Sequence, residues 1–115
     1  MEKQQVRDEV MSLLIAGHET TANTLSWLWY LLAQHSQIVA RVEKEIDEVL
    51  NGRLPTITDF PNLTYCDKVI KESMRLYPSA WSISRHTLAD DEIGGYLIPA
   101  GAIVDLSTSN QHHHP

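Results

Sequence analysis

The stretch Ala16–Thr21 (AGHETT) combines residue types that are unusual in the middle of a helix. A glycine there costs about 1 kcal/mol relative to alanine, and two adjacent β-branched threonines also lower helix propensity. Because a threonine hydroxyl can bond the carbonyl four residues earlier, we expect Thr20 to bond Ala16 and to leave a groove for a small ligand or water. The alternative is that Gly17 allows a close helix crossing while Glu19 and Thr20 face solvent.

The same stretch begins a zinc-binding HExxH motif without completing it. His18 and Glu19 match its first two positions, whereas Ala22 stands where the second histidine ligand is required. We therefore expect no metal site in this chain. The run His112–His114 is interpreted as a solvated end, because consecutive residues do not converge on one ion without further support. A serine hydrolase is excluded as well, since the sequence contains no GxSxG motif.

A second candidate group is the pair Glu72 and Arg75, which stand three residues apart and therefore on one face of a helix. A pair of this kind at the surface contributes less than about 1 kcal/mol. The following residues, LYPSAW, are apolar, which favours a partly buried pair with bidentate geometry.

The AGHETT stretch lies within a long predicted helix over residues 1–34. No proline occurs from Gln5 to Gln34, and apolar residues recur there with helical spacing. About 30 residues at 1.5 Å each span roughly 45 Å. Trp27 and Trp29 make both faces of the helix apolar, so we expect some of its packing partners to lie outside this chain.

Two further helices and a group of strands are predicted after it. The second helix covers residues 36–51, with Ser36 as its N-cap and an ion pair between Arg41 and Glu45. The third covers residues 63–77 and contains the Glu72 and Arg75 pair; Pro78 ends it. Short strands are predicted within residues 81–107, near 81–86, 96–98 and 103–106. The expected fold is mainly α with a small β region, and residues 1–115 are interpreted as one partial domain.

Composition restricts the partners and the compartment. The formal net charge of -6 disfavours nucleic acid, which binds to clusters of lysine and arginine. The chain has one cysteine, so it forms no internal disulfide. No apolar run is long enough to serve as a signal peptide or a membrane span. A cytoplasmic location is expected, with anchoring by a segment upstream of this chain left open.

In order, AGHETT on a long helix, KESMR and LYP on a later helix, a strand arginine and GGYLIPAG resemble the cytochrome P450 family. The resemblance covers nearly the whole chain and implies part of a haem-thiolate monooxygenase. The cofactor would be haem b, held by a cysteine in a glycine-containing loop that this sequence does not contain. The 115 residues alone are therefore expected to be inactive. Cys66 is expected to be a small buried core residue.

The resemblance also implies roles for individual residues. Glu19 and Thr20 match the acid and alcohol pair that delivers protons to dioxygen, while Ala16 and Gly17 leave room beside the haem. Glu72 and Arg75 match the ExxR pair, a structural lock on the proximal side of the haem.

Residues of the strand region are implied to complete the site. Arg85 stands where the family offers an arginine to a haem propionate. Ala80, Trp81 and Ile83 would lie near the substrate pocket. His113 stands where the family usually has an arginine before a proline.

The implied activity is insertion of one oxygen atom from O2 into a small organic substrate. The electrons would come from NAD(P)H through a ferredoxin or a flavin reductase. The alternative is a non-catalytic helical interaction protein, in which Trp27, Trp29 and Leu32 would have to be covered by an oligomer.

Overall fold

The computed structural model describes residues 2–113 and divides them into two compact units, one ending at Ser79 and one beginning at Ala80. Three long helices and a short 3-10 turn form the first unit, and two strand pairs with a short helix form the second. In chain order these are α1 Lys3–Gln34, α2 Ser36–Leu50, the 3-10 turn Phe60–Asn62, α3 Thr64–Leu76, β1 Ser82–His86, β2 Asp91–Ile93, β3 Tyr96–Ile98, β4 Ile103–Ser107 and α4 Thr108–His113. The predicted class, mainly α with a small antiparallel β region, is confirmed.

A single residue, His35, separates α1 from α2. Its backbone angles of φ -128° and ψ 68° leave the helical region, and its N–H donates to the carbonyl of Leu32 at 3.0 Å. The His35 ring nitrogen Nδ1 lies 2.8 Å from the carbonyl oxygen of Leu31. The predicted N-cap at Ser36 is wrong, because Ser36 already lies inside α2 and makes no capping bond.

The predicted ion pair between Arg41 and Glu45 does not form either. The Arg41 guanidinium lies over the ring of Tyr65, 4.2 Å from its centroid, while the Glu45 carboxylate accepts hydrogen bonds from the start of α3. Both partners of the expected pair therefore join α2 to α3. A cation over an aromatic face and a charge-assisted bond to N–H groups are each favourable alternatives to an exposed ion pair.

The loop between α2 and α3 is closed by an ion pair. Asp59, which is only 5% exposed, accepts bonds from the Arg53 guanidinium and from the backbone N–H of Thr56, the latter at 2.8 Å. The hydrogen bond from Arg53 holds the pKa of Asp59 well below its usual range. This arrangement fixes where α3 begins relative to the end of α2.

The core of the first unit is small. Leu28 of α1 and Leu50 of α2 are the buried hydrophobic residues in the described part of the chain. Trp27 of α1 stacks on Tyr77 with ring centroids 4.2 Å apart and planes 6° apart. Many large apolar side chains of α1 remain exposed, among them Leu13 at 73% and Trp29 at 68%, as the two apolar faces of this helix predicted.

The second unit contains two antiparallel pairs. β1 pairs with β4 in the register Ser82↔Ser107 to His86↔Ile103, and β2 pairs with β3 through Asp91↔Ile98 to Ile93↔Tyr96. Gly94 and Gly95 connect β2 to β3 at φ 60° and 85°, which suits a two-residue hairpin turn. Neither β2 nor α4 was predicted. Within residues 2–113, no helix has the length and apolar character needed to cross a membrane.

Candidate functional site

The AGHETT stretch is continuous α-helix in the middle of α1. The hydroxyl of Thr20 donates to the carbonyl oxygen of Ala16 at 2.6 Å, which confirms the bond predicted from the sequence. Thr20 and Glu19 are both exposed. The hydroxyl and the carboxyl therefore belong to consecutive residues of α1 that the rest of the first unit leaves exposed.

Gly17 does not serve a close helix crossing within the described residues. A Cβ placed on it would have no heavy atom within 4 Å outside its own helical turns. Leu14, three residues earlier and on the same side of α1, is 60% exposed. The surface beside Gly17 is thus open and largely apolar, which fits contact with a flat apolar group.

A hydroxyl from outside the helix reaches the same turn. Ser79, which follows α3, donates through Oγ to the Thr20 carbonyl oxygen at 3.0 Å, and its Oγ lies 2.8 Å from Thr24 Oγ1. Thr24 Oγ1 in turn lies 2.8 Å from the Thr20 carbonyl oxygen. The sequence interpretation missed Ser79. Its signal is a small polar residue directly after Pro78 in an otherwise apolar segment.

Glu72 and Arg75 form the predicted bidentate pair on α3. Arg75 Nε lies 2.8 Å from Glu72 Oε2, and the Arg75 Nη2 lies 2.7 Å from Oε1. The hydrogen bond from Arg75 lowers the pKa of Glu72, and the same bond raises the pKa of Arg75. Partial burial of the pair was expected, but the Glu72 side chain is 56% exposed and the Arg75 side chain is 42% exposed. The pair is formed on an open face of the unit.

The residue next to Glu72 on α3 is buried. Ser73 is 2% exposed, and its hydroxyl has no hydrogen-bond partner among the described residues. It lines a mainly apolar cavity of about 350 Å³ together with Leu28, Leu32, Ile38 and Leu76. Glu72 lines the same cavity, so the ion pair on α3 borders the cavity between this helix, α1 and α2.

Glu45 of α2 caps the N-terminus of α3. Leu63 occupies the N-cap position and offers no side-chain oxygen, so the first N–H groups of the helix need another acceptor. The Glu45 carboxylate accepts the N–H of Tyr65 at 2.7 Å, the N–H of Cys66 at 2.8 Å and the hydroxyl of Thr64 at 3.2 Å. Desolvation opposes ionisation, but these bonds outweigh it and lower the pKa of Glu45 to about 2. The sequence signal for this cap is Leu63, because a leucine at the N-cap position leaves the first N–H groups of α3 in need of an acceptor from elsewhere.

Replacing Glu45 with glutamine is expected to lower the melting temperature of the complete protein by a few degrees at neutral pH. The folded-state pKa of about 2 lies below the ordinary 4.5, so the carboxylate stabilises the fold fully above pH 4.5. This contribution is lost as pH falls towards 2, and the difference between the two proteins should shrink over the same range. Thermal melts from pH 7 to pH 2 measure it. Glu43→Gln, at an exposed position of the same helix, is the control, and an equal effect there would contradict the capping role.

Cys66 lies in the first turn of α3 and is half-buried, not fully buried as predicted. Burial raises the pKa of its thiol to about 11, and the neighbouring Glu45 carboxylate adds to the rise. A carboxylate beside a thiol disfavours the thiolate, which is the form that binds a metal. Cys66 does not fit the role of a haem ligand.

The remaining predicted residues lie in the second unit. Arg85 pairs with Val104 in the β1–β4 ladder, and its exposed guanidinium donates to the Ser84 carbonyl at 2.9 Å. Ile83 pairs with Leu106.

The residues predicted near the substrate pocket lie at the start of this unit. Trp81 is 64% exposed and Ile83 is 42% exposed. Thr108, the first residue of α4, holds the segment before β1 through hydrogen bonds to the carbonyls of Ala80 and Trp81, each at 3.0 Å. The segment is therefore ordered by its own unit.

The histidine run falls at the end of the described residues. His112 and His113 form the last turn of α4, and His113 Nδ1 lies 2.8 Å from the Ser109 carbonyl oxygen. His114 lies outside the described residues. No group of metal-binding side chains converges anywhere in residues 2–113.

Comparisons with known proteins agree with one another. The family described as cytochrome P450 matches residues 1–115. The cyclooctat-9-en-7-ol 5-monooxygenase of Streptomyces melanosporofaciens is 47% identical over 111 residues, covering 96% of this chain and 24% of that protein. The pentalenene oxygenase of Streptomyces avermitilis is 39% identical over 110 residues, with coverages of 96% and 24%.

A solved structure gives the same result for the fold. The haem domain of cytochrome P450DA superposes with a TM-score of 0.93 at 33% sequence identity, covering 100% of this chain and 26% of that one. The chain thus spans about a quarter of the length of the proteins that it resembles.

Proposed function

This chain belongs to the cytochrome P450 family, and from that premise we propose that it carries the proton-delivering helix of a haem-dependent monooxygenase. The observation that carries the proposal is the Thr20 hydroxyl, bonded to Ala16 at 2.6 Å beside the exposed Glu19 on an open helix surface. A hydroxyl next to an acid is a suitable proton donor to a reacting oxygen atom. In the complete protein, residues 1–115 would be part of one domain.

The residues of this chain suit the distal side of a haem. Gly17 leaves the helix surface uncovered, its neighbour Ala16 is small, and Leu14 adds an exposed apolar side chain on the side of Gly17, as contact with a flat macrocycle requires. Arg85, exposed on β1, would pair with a haem propionate. Haem, when bound, supplies the redox chemistry by which dioxygen is activated. Since the Glu45 carboxylate lies beside Cys66 and disfavours its thiolate, the thiolate ligand would come from a cysteine outside this chain.

Each proposed group then has one task. The Thr20 hydroxyl donates a proton to the reacting oxygen, and Glu19 restores that proton from solvent through its carboxyl group. The bond to Ala16 holds the Thr20 side chain in one rotamer until it donates. Glu72 and Arg75 would act away from the reaction, as the lock that keeps α3 in place.

The proposed substrate is a small apolar organic molecule. Ala80, Trp81 and Ile83 would line its pocket, and the exposed aromatic and aliphatic surfaces of the latter two support an apolar ligand. The relatives named above act, by their names, on cyclooctat-9-en-7-ol and pentalenene. They are oxygenases, so they support the enzyme and not the alternative of a helical interaction protein. We also propose a cytoplasmic location. Electrons would be delivered by a ferredoxin or a flavin reductase.

Isotope labelling of the complete, haem-loaded protein tests this function. With NAD(P)H, a ferredoxin or flavin reductase and labelled dioxygen, substrate R–H should become R–OH, the second oxygen atom should leave as water, and NAD(P)H should be oxidised. Mass spectrometry should find one labelled atom in the product. A product that carries oxygen from water, or a complete protein that binds no haem, would refute the proposal.

A further inference from the structure

The contact between Ser79 and the turn that carries Thr20 joins parts of the chain 59 residues apart. Thr24 also bonds the Thr20 carbonyl, at 2.8 Å, but it belongs to α1 and moves with it. A bond inside one helix cannot hold that helix against its neighbours. Ser79 is therefore the residue of this group that can fix the position of the turn.

The available protons leave Ser79 bonded to α1 in either arrangement of this group. Each hydroxyl has one proton to donate. If Ser79 donates to the Thr20 carbonyl, Thr24 is free to donate to Ser79 across their 2.8 Å separation; in the reverse arrangement Thr24 donates to the carbonyl and Ser79 to Thr24. Both arrangements keep the Thr20 carbonyl bonded and Ser79 attached to α1.

The backbone around Ser79 is itself held in place. Two residues earlier, Tyr77 stacks on Trp27 with nearly parallel rings at 4.2 Å. Trp27 follows Thr20 by seven residues, which is about two helical turns, so both lie on similar sides of α1. Pro78, between the stacked ring and the hydroxyl, restricts the intervening backbone. The segment is thus attached to α1 at two points, and its hydroxyl has little freedom to turn away.

From these contacts we propose that Ser79 is a positioning residue for proton delivery, holding the Thr20 turn of α1 through a hydrogen bond to its carbonyl. The inference rests on the proposed function, because it concerns the hydroxyl that delivers the proton. Thr20 donates only from one side of its turn, and small displacements of a reacting group cause large losses in rate. Ser79 touches neither substrate nor cofactor in this role.

Ser79→Val and Ser79→Thr in the complete, haem-loaded protein form the decisive comparison, since they have nearly the same shape and only threonine retains a hydroxyl. In the valine variant, backbone amides of residues 20–24 should exchange with solvent about fivefold faster, the effect of losing one neutral hydrogen bond. Product formed per NAD(P)H should fall about threefold, with the missing electrons recovered as hydrogen peroxide. The threonine variant should resemble the unchanged protein in both measurements.

Ser26→Ala is the control for loss of a serine hydroxyl on α1. Within residues 2–113 its hydroxyl bonds the Ala22 carbonyl alone, at 2.8 Å, inside the helix. Haem content and substrate affinity should stay constant in all three variants, which separates positioning from a general loss of structure. Equal exchange and equal product yield in the valine and threonine variants would overturn the role of Ser79.

The proposed function itself can fail separately. If removal of the Thr20 hydroxyl leaves the product yield unchanged, proton delivery by Thr20 is wrong, and the exchange rates still decide whether Ser79 holds the turn. If removal of the Thr20 hydroxyl lowers the yield while Ser79→Val does not, Thr20 keeps its role and Ser79 loses its own.

Discussion

Thr20→Ala in the complete, haem-loaded protein is expected to lower the product formed per NAD(P)H about tenfold or more, while NAD(P)H consumption changes far less. General acid catalysis typically contributes factors of about 10²–10⁴, and alanine removes the hydroxyl that bonds Ala16 at 2.6 Å. Electrons from NAD(P)H would then leave with oxygen and two protons as hydrogen peroxide. Parallel assays of product, hydrogen peroxide and NAD(P)H measure how the electrons divide between product and peroxide. Because alanine is a good helix former, α1 itself should remain intact.

Two neighbouring substitutions make this result specific. Thr20→Ser retains the hydroxyl and should preserve most of the product yield. Thr21→Ala removes the adjacent, exposed threonine and should have little effect. A Thr20→Ala protein that produces as much product per NAD(P)H as the unchanged protein would remove Thr20 from the mechanism.

Arg75→Ala is expected to reduce the haem bound per protein severalfold and to leave much of the complete protein unfolded. Within this chain the pair with Glu72 is about half-exposed, and a pair so exposed contributes little alone. A large effect therefore requires the rest of the protein to cover the pair and to supply further acceptors for the guanidinium. Arg75→Lys should fail similarly, since a single ammonium group cannot form the bidentate contact. Haem absorbance relative to protein concentration measures the outcome.

Lys71→Ala provides the matched control on the same helix. Lys71 pairs with Asp67 at 2.6 Å, one turn earlier, and both side chains are more than half exposed. Its loss should change haem content little. If Arg75→Ala behaves like Lys71→Ala, the pair with Glu72 is an exposed ion pair that contributes little to stability, and not a structural lock.

The local part of the site was predictable from the sequence because its geometry is local. The Thr20 to Ala16 bond follows from the four-residue repeat of a helix, and the bidentate pair follows from the three-residue spacing of Glu72 and Arg75. Ser79 could not be predicted in the same way. Its contact depends on how α3 packs against α1, which no short spacing encodes.

The predictions that were wrong or missing also concern features that tertiary contacts or weak local preferences determine. Arg41 and Glu45 are correctly spaced for an ion pair, but each found a partner on α3, so tertiary contacts overrode the local preference. β2 was missed because Asp91 and Glu92 are poor strand formers, and α4 because it is six residues long and rich in polar residues. The resemblance to the family supplied the proposed roles of Arg85 and Glu19, which exposure and spacing alone do not indicate.

The long separation between Ser79 and Thr20 also sets an order of events during synthesis. At about 5–20 residues per second, roughly 3–12 s pass between the addition of these two residues to a growing chain. For nearly all of that interval Trp27 has no Tyr77 to stack against, and until its end the Thr20 carbonyl has no partner outside its own helix. The turn proposed to deliver protons is made early by the ribosome, yet it is fixed in place only after α3 has emerged.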